Sequence, residues 1–599
     1  MGYIRNKMVI TDTDMLRDGE TKYKIVLSNH PSEVEKYAAE ELKFFFKRAT
    51  DVELSTILDE EASYDVTAYY FVIGETTLLK ELEKDSRYLN EKTCFYGDSV
   101  RLYSKGNMIF FSGSGCGPID SVYEYLERVF GYKYYAKDEW TIEKHTLLKV
   151  PVFDIEYHPS IPRRALGFYD TGGRDYEYTH RLKLNNSLYS GWIAFAHTYF
   201  QILPKEKYFQ KHPDWYSPDG KNLCLSNDEM KKEFVEQVKT MVLNSKEELF
   251  MLGQEDTFEF CSCPSCRQKI ASYGGRASGV AMEFTNDVAR QVGAWLKETA
   301  PERKLRFVAF AYNETYMPPA FYDECKGKYL PMSEKVKAEE NVAVMIVPYI
   351  ALYSSTYLNE EMNSQIKEGF LGWQAVSQEL MVWSYCTIFE NYMIPFNNLE
   401  TIEENYRILQ NIGTLFLFDQ ASHNSHVPCF EEMRQYVQAA LMWGRTNVPK
   451  LIKEFCKAYY GEAAPCMEYV IQLYKTHAYY NEGVYQKYCG YSFDSFNELM
   501  DRKLWTIGFL DYLDEVFATA RELVQKSPRK EILLSRVEKE YLTVQFFRLS
   551  LYPETFENYE EAKRNFDEIR KKHQIERLNE GGEGLLKLPD SYKSKVKNS

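Results

Sequence analysis

Between residues 164 and 418 the sequence repeats one pattern eight times: a short apolar segment followed by a helical or loop segment. Amphipathic helices are predicted in several of the intervals, at 228–244, 279–299 and 399–411. Eight such units in about 260 residues are typical of an α/β fold of the (β/α)8 TIM-like barrel type. The predicted strands are 164–169, 186–190, 222–225, 249–252, 305–312, 342–347, 380–385 and 414–418, and the pattern is weakest for the second and third.

The pattern changes on both sides of the predicted barrel, which we assign to 156–428. Residues 1–155 combine strand-like apolar segments with amphipathic helices, which predicts a small α/β accessory domain. Helical periodicity prevails over 429–575 and predicts an α-helical domain packed on the barrel. The last residues, 576–599, are polar and are predicted to form a loose tail.

The chain is acidic, with a formal net charge of −15. Because phosphate binding needs a basic surface, we expect neither nucleic acid nor a membrane as its partner. Aromatic residues make up 15% of the chain. Exposed rings pack well on the C–H faces of sugars, although an aromatic-rich core explains the same composition equally well. A neutral oligosaccharide is therefore the expected partner, and the composition does not predict an oligomeric state.

The N-terminal sequence lacks the apolar run of a signal peptide, and no window approaches the ~18 apolar residues of a membrane span. Twelve cysteines in a chain of 599 residues do not form the dense framework of a small disulfide-rich protein, so reduced thiols are expected. These features predict a cytoplasmic protein.

Candidate catalytic residues come directly after the predicted strand 249–252. The apolar run ends at Gly253 and is followed by Glu255 and Asp256, so a buried strand delivers two adjacent carboxylates to the barrel mouth. Glycosidic cleavage needs one carboxyl group to protonate the leaving oxygen and a second group to stabilise or attack the anomeric carbon. Each carboxylate could instead bind a sugar hydroxyl or form a structural ion pair. The candidates for catalysis are Asp256, Glu255 and Glu314.

Polar and aromatic residues after the predicted strands are candidates for substrate binding. Carboxylates, amides and rings with few basic groups suit a neutral sugar better than a phosphate, and motifs of serine hydrolases, P-loop proteins and zinc proteases are absent from the sequence. For each aromatic residue, packing in the core is the alternative. The candidates are Asp170, His197, His212, Gln254, Tyr312, Asn313, Tyr349, Trp383, Tyr385 and Asp419.

Three thiols, Cys261, Cys263 and Cys266, lie within six positions of one another, and the first follows Asp256 by five. Cys224 ends the preceding predicted strand, and neighbouring strand ends converge in a barrel. Four thiolates are the ligand set of a structural zinc site, and reduced loop thiols are the alternative. We expect catalysis itself to need no cofactor.

Two sets of segments resemble known families. SEVEKYAAEELKFFFKRAT, FVIG, GCGPIDSVYEYLERVFGYKYY and HPSIPRR resemble the N-terminal accessory domain of α-glucuronidases and β-hexosaminidases, which carries no catalytic residues. Six segments over about 150–480 resemble, in order, the domain of unknown function DUF4838, which is associated with glycoside hydrolase family 163, the endo-β-N-acetylglucosaminidases of complex N-glycans. These segments are KEKYFQKHPDWYSPDGKNLCLSNDEM, LGQEDTFEFCSCPSC, FTNDVARQV, AYNETYMPP, WSYCTIFENYMIPF and LMWGRTNVPKLIKEFCKAYYG.

The resemblance implies roles for the adjacent carboxylates. In β-hexosaminidases a Gly-Gly-Asp-Glu sequence supplies one acid that orients the substrate 2-acetamido group and one that protonates the leaving oxygen. The sequence Gly253-Gln-Glu-Asp256 is similar, with the carboxylates exchanged in length. Glu255 would then orient the acetamido group, which attacks the anomeric carbon, and Asp256 would be the proton donor of a retaining β-N-acetylglucosaminidase-like enzyme.

The resemblance also has limits. Family members commonly have asparagine at the position of Glu255. Those that act on glycoproteins are exported, so we expect an imported oligosaccharide as the substrate here. Two alternatives stay open: a glycosidase for uronic acids or plain β-glycosides on the same scaffold, and a non-catalytic carbohydrate-binding protein.

Overall fold

A computed structural model describes residues 2–84, 97–185, 191–481 and 499–581 of the chain. The second predicted strand, 186–190, and most of the predicted tail lie outside these ranges. Within them, none of the helices is both long and apolar enough to cross a membrane.

The N-terminal residues form an α/β unit. Its elements are β1 (Gly2–Arg17), β2 (Glu20–Thr21), β3 (Lys24–Leu27), α1 (Glu33–Thr50), β4 (Ser55–Leu58), β5 (Tyr70–Ile73), α2 (Thr77–Glu83), β6 (Val100–Lys105), β7 (Met108–Ser112), α3 (Gly117–Phe130), β8 (Lys133–Ala136), β9 (Glu139–Thr141) and β10 (Leu147–His158). The described strands of its main sheet lie in the order β2-β1-β10-β6-β7-β5-β3-β4. A capping box starts α1: Glu35 N donates to Ser32 Oγ over 3.3 Å, and Ser32 N donates to Glu35 Oε2 over 2.7 Å.

A second sheet, the parallel sheet, carries the candidate site. The elements of this region are β11 (Arg163–Gly167), α4 (Tyr176–Arg181), β12 (Trp192–Ala194), α5 (Tyr199–Ile202), α6 (Lys205–Tyr208), α7 (Asp228–Leu243), β13 (Leu249–Leu252), α8 (Pro264–Ser272), α9 (Ala277–Thr299), β14 (Arg306–Ala311), β15 (Ala320–Asp323), β16 (Lys328–Pro331), β17 (Val342–Ile346), α10 (Ser364–Val376), β18 (Leu380–Tyr385), α11 (Ile402–Asn411) and β19 (Thr414–Gln420). The described strands lie in the order β11-β19-β18-β17-β14-β13-β12, and all neighbours are parallel. Every residue of β13 and β17 is buried because both faces of the sheet are covered.

The parallel sheet is curled rather than flat. Trp192 on the edge strand β12 lies 6.0 Å from Phe416 on β19, measured between ring centroids. The two edge strands also approach each other, since a Cβ atom at Gly191 would lie 2.8 Å from the guanidinium of Arg163. No pairing between β11 and β12 is found in the described part of the chain. The prediction of a parallel α/β sheet is confirmed as a curled sheet, whereas its closure into an eight-stranded barrel stays a prediction.

The predicted third strand, 222–225, is wrong. Leu223 forms a single antiparallel bridge to Tyr216, and Cys224 N donates to Trp215 O over 2.8 Å. Asn222 instead turns its side chain toward the loop that follows β13, as described below. This short apolar segment therefore pairs with the loop that precedes it and does not join the parallel sheet.

Helices follow the parallel sheet. Those in the described part of the chain are α12 (Glu431–Trp443), α13 (Val448–Tyr459), α14 (Ala464–Tyr480), α15 (Ile507–Val524), α16 (Lys530–Leu551) and α17 (Tyr559–Lys572). Buried ion pairs tie the three regions together: Arg164 to Asp98 at 2.6 Å and Arg536 to Glu139 at 2.7 Å. The predicted division into domains at 155, 428 and 575 stays a prediction.

The prediction of a loose tail from 576 onward is wrong for its first residues. Ile575 is fully buried. After it, Tyr392 N donates to Leu578 O over 2.8 Å and Glu580 N donates to Phe389 O over 3.0 Å. Polar composition predicted solvent exposure, but backbone hydrogen bonds hold 576–581 against the loop after β18.

Candidate active site

A cavity of about 250 Å³ opens at the carboxyl ends of the strands of the parallel sheet. Parallel α/β folds place their ligands at this end. The cavity is lined by Phe195, Ala196, His197, Asp256, Phe310, Tyr312, Val347, Trp383, Tyr385, Phe418, Gln420, His423 and Glu580.

Aromatic rings form the floor of the cavity. Phe195 and Trp383 stack with centroids 5.2 Å apart, and Phe310 lies 6.0 Å from the same tryptophan. Successive lining residues of one strand are two apart, as in Phe418 and Gln420, because side chains alternate between the faces of a sheet. The strands thus turn aromatic side chains into the cavity and polar ones to its rim.

Gly253 lets the loop after β13 pack against the loop after β12. Thr198 N donates to Gly253 O over 3.0 Å, and Gly253 N donates to Thr198 Oγ1 over 3.0 Å. A Cβ atom at Gly253 would lie 2.1 Å from Ala196 O, closer than any side chain tolerates. Glycine is therefore required for the approach of the two backbones, and this approach places 254–256 at the cavity.

Asp256 lies at the rim of the cavity with an exposed side chain. Tyr312 Oη donates a hydrogen bond to Asp256 Oδ1 over 3.2 Å, so the carboxylate is oriented by the end of β14. Burial, and secondly the charge of Asp256, raises the pKa of Tyr312 well above its ordinary value, so this hydroxyl stays protonated and remains a donor.

Glu255 does not lie where its predicted catalytic role would require it. It does not line the cavity, and its Oε1 accepts a hydrogen bond of 2.8 Å from Phe200 N in the first turn of α5. Its own backbone N–H donates to Asn222 Oδ1 over 3.0 Å. Burial raises the pKa of Glu255, while the Phe200 N–H and the nearby His197 oppose this rise. In this arrangement Glu255 holds the loop in place.

His197 has a defined orientation at the cavity. Its Nδ1 lies 2.7 Å from Gln254 O, and because a carbonyl oxygen only accepts, Nδ1 carries a proton and donates to it. The side chain of Gln254 is buried and donates to Tyr312 O and Thr315 Oγ1, each over 2.7 Å. Gln254 thus supports the site instead of lining the cavity, contrary to its prediction as a substrate-binding residue.

The wall on the side of β19 contains Gln420, His423 and Glu580, which are not among the site residues predicted above. Trp383 Nε1 donates to Gln420 Oε1 over 2.9 Å, and Gln420 Nε2 donates to Glu580 Oε1 over 2.8 Å. His423 Nδ1 lies 3.6 Å from the same carboxylate. The position after a predicted strand already points to Gln420, and the same reasoning extends to His423, whereas no local pattern points to Glu580.

Three predicted residues lie near the cavity without lining it. Tyr349 packs behind Tyr312 with ring centroids 5.3 Å apart. Asn313 is buried, has a left-handed backbone with φ of 50°, and donates from Nδ2 to Thr257 O over 3.3 Å. Glu314 is exposed, and partial burial of its carboxyl raises its pKa.

Three more predicted residues serve other parts of the fold. Asp419 lies between the cavity-lining residues Phe418 and Gln420, so alternation turns it away, and it accepts hydrogen bonds from Tyr406 and, over 2.8 Å, from Gln438. His212 stacks on Trp215 with centroids 4.0 Å apart. Asp170 lies 3.8 Å from His426 Nε2, and burial raises the pKa of its carboxyl. Of the predicted binding residues, the cavity therefore collects His197, Tyr312, Trp383 and Tyr385.

The four cysteines of the predicted metal site come together beside this loop. The Sγ atoms of Cys224, Cys261, Cys263 and Cys266 all lie within 4.8 Å of one another.

Comparison with known proteins gives a family and weak structural likenesses. Residues 134–472, more than half of the chain, match the family described as "Domain of unknown function (DUF4838)". No curated protein matches the sequence. Similar solved structures include a family 89 glycoside hydrolase from Clostridium perfringens in complex with 2-acetamido-1,2-dideoxynojirmycin, with a TM-score of 0.42 and 9% identity over 90% of this chain. This chain spans 65% of the length of that protein. A mutant of the Thermobaculum terrenum O-GlcNAc hydrolase is similar with a TM-score of 0.32 and 13% identity, over 69% of this chain and 88% of that one.

Proposed function

The chain belongs to the DUF4838 family, and from the geometry of its cavity we propose that it is a glycoside hydrolase whose favoured substrate is a β-linked N-acetylhexosamine. The observation that carries the proposal is the pair formed by Asp256 and Glu580. These are the two carboxylates among the described residues that line the cavity, one after β13 and the other beside the end of β19. They stand over an aromatic floor that suits the C–H face of a sugar ring.

The charge of the cavity favours a neutral sugar over a uronic acid. No lysine or arginine is present among its described lining residues, and the two carboxylates would repel a uronate. The volume of about 250 Å³ lies slightly below the usual range of ligand pockets, which begins at about 300 Å³, so we propose that a single sugar ring occupies the cavity.

We assign the proton transfers to Asp256. Its side chain is held by Tyr312 and reaches solvent at the rim, where the leaving oxygen of a glycoside bound in the cavity would lie. In the proposed reaction Asp256 protonates this oxygen as the C–O bond breaks, while the acetamido oxygen of the substrate attacks the anomeric carbon. Asp256 then takes a proton from the water that opens the resulting oxazolinium ion. The two successive displacements at the anomeric carbon retain its configuration. Glu580 is assigned to hydrogen bonding and charge stabilisation of the bound sugar.

Hydrolysis of matched aryl glycosides tests this proposal. The set pairs β-N-acetylglucosaminide with β-glucoside, β-glucuronide and α-N-acetylglucosaminide, with release of the phenol as the readout. We expect turnover of the β-N-acetylglucosaminide and competitive inhibition by a thiazoline mimic of the oxazolinium ion. Preferred cleavage of the glucoside or glucuronide would contradict the acetamido specificity. Binding of oligosaccharides without any hydrolysis would contradict the enzymatic function and favour a non-catalytic carbohydrate-binding protein.

A further inference from the structure

The four thiols beside the candidate site have the spacing of metal ligands. Cys224 Sγ lies 3.6 Å from Cys263 Sγ and 3.8 Å from Cys266 Sγ. A tetrahedral zinc ion with Zn–S bonds of about 2.3 Å separates its sulfur ligands by about 3.8 Å. A disulfide would need about 2.05 Å. The distances therefore fit four thiolates around one ion better than they fit two covalent bonds.

The surroundings of the thiols also favour coordinated thiolates. Cys266 N, in the first turn of α8, donates to Cys263 Sγ over 3.3 Å, and Ser226 Oγ lies 3.1 Å from Cys266 Sγ. Three of the four side chains are buried in a small cluster, and Phe260, the large apolar side chain that packs on it among the described residues, also packs on the main core. Around the thiols, burial of apolar surface thus contributes little to the stability of this loop, which leaves its closure there to polar or metal contacts.

We propose that Cys224, Cys261, Cys263 and Cys266 bind one zinc ion, and that this ion clamps the loop that carries Asp256. Cys261 follows Asp256 by five positions. On the other side of the clamp, Cys224 follows Asn222 by two, and Asn222 holds the same loop through Glu255 N and Glu259 O, both at 3.0 Å.

The clamp would act by lowering the entropy of the loop between β13 and α8. Residues 253–263 lack helix and strand, so few regular hydrogen bonds order them. A metal that joins 224 to 261–266 closes the loop at its far end, while the contact of Gly253 with Thr198 closes the near end. The proposal of a metal site does not depend on the proposed glycosidase activity. Only an effect of the metal on turnover rests on that proposed function.

Metal content of the purified full-length protein is the first test. We expect about one zinc per chain by elemental mass spectrometry, and loss of this zinc in Cys224→Ser and Cys261→Ser. Cys325→Ser is the matched control, because Cys325 is an exposed cysteine outside the cluster and its variant should keep the metal. Cobalt exchanged into the protein should give thiolate-to-cobalt charge-transfer bands with tetrahedral d–d bands. Iron in place of zinc, or metal-free protein with four titratable thiols, would overturn the zinc site.

Hydrogen exchange of the wild-type protein tests the clamp without any variant. Removal of zinc by a chelator should raise amide exchange in 253–266, while β17 and β18 stay protected. Unchanged exchange in 253–266 after complete zinc loss would overturn the clamp. Because neither readout uses a substrate, failure to cleave any glycoside would count against the proposed function and leave the zinc result standing.

Discussion

Glu580 accepts a hydrogen bond of 2.8 Å from the side-chain amide of Gln420, although the two residues are 160 positions apart. Gln420 in turn accepts a bond of 2.9 Å from the indole of Trp383. One chain of hydrogen bonds thus runs from the aromatic floor of the cavity to its rim, and its last member comes from a segment that follows all the described helices. The segment 576–581 is therefore part of the candidate site.

Glu580→Gln should lower kcat/KM for the preferred aryl glycoside at least about tenfold, because it removes the negative charge but keeps the size of the side chain. Steady-state kinetics checks this. The control is Glu576→Gln, the same substitution at an exposed position of the same segment, which contacts Ser425 through its backbone N–H. Equal kinetics for both variants would remove Glu580 from the site.

Asp256→Asn should lower kcat by about 10²–10⁴-fold for glycosides with poor leaving groups, and by less for glycosides with acidic leaving groups. The reason is that a proton donor matters most when the departing oxygen is basic. A series of aryl glycosides of graded phenol pKa measures this slope. Asp138→Asn, in the turn between β8 and β9, is the exposed control. A loss that is uniform across the series would contradict the role of Asp256 as the proton donor.

Gly253→Ala should destabilise the protein by more than about 1 kcal/mol and reduce turnover, because the new Cβ would lie 2.1 Å from Ala196 O. Urea unfolding measures the stability change. Gly508→Ala is the matched control: its Cβ meets nothing within 4 Å, and it lies in α15, where alanine is favoured over glycine. Wild-type stability and activity in Gly253→Ala would contradict this prediction, because they would show that the loops after β12 and β13 can move apart without destabilising the protein.

Asp419 should make stability depend on pH, because burial raises its pKa from 3.8 to about 6. A carboxyl group with a raised folded-state pKa contributes its full stability below the unfolded value, and this contribution is lost as the pH rises through about 6. The loss amounts to up to about 3 kcal/mol. The thermal midpoint of Asp419→Asn should therefore rise relative to wild type between about pH 4 and about pH 7. A difference between the two midpoints that does not change with pH would contradict this assignment.

The strands of the parallel sheet and several cavity residues could be predicted because their signals are local. Continuous apolar runs such as 249–252 predict strands buried on both faces, and residues directly after them fall at one edge of the sheet. The same reasoning failed where local pattern and tertiary contact disagree. Asp419 follows the predicted strand as Gln420 does, but alternation turns its side chain away from the cavity.

Periodicity and short-range order were enough to predict the parallel α/β class and the placement of Asp256, Tyr312 and Trp383 near strand ends, and the match over 134–472 gives the family. The folded chain was needed to show that Glu255 accepts a hydrogen bond from the first turn of α5 and that Glu580 lines the cavity. Cys224 was predicted to meet the three later thiols, but for the wrong reason, since it lies in a loop and not at the end of a strand. Each of these contacts joins segments far apart in the chain, and such contacts depend on how whole elements pack, which no local pattern encodes.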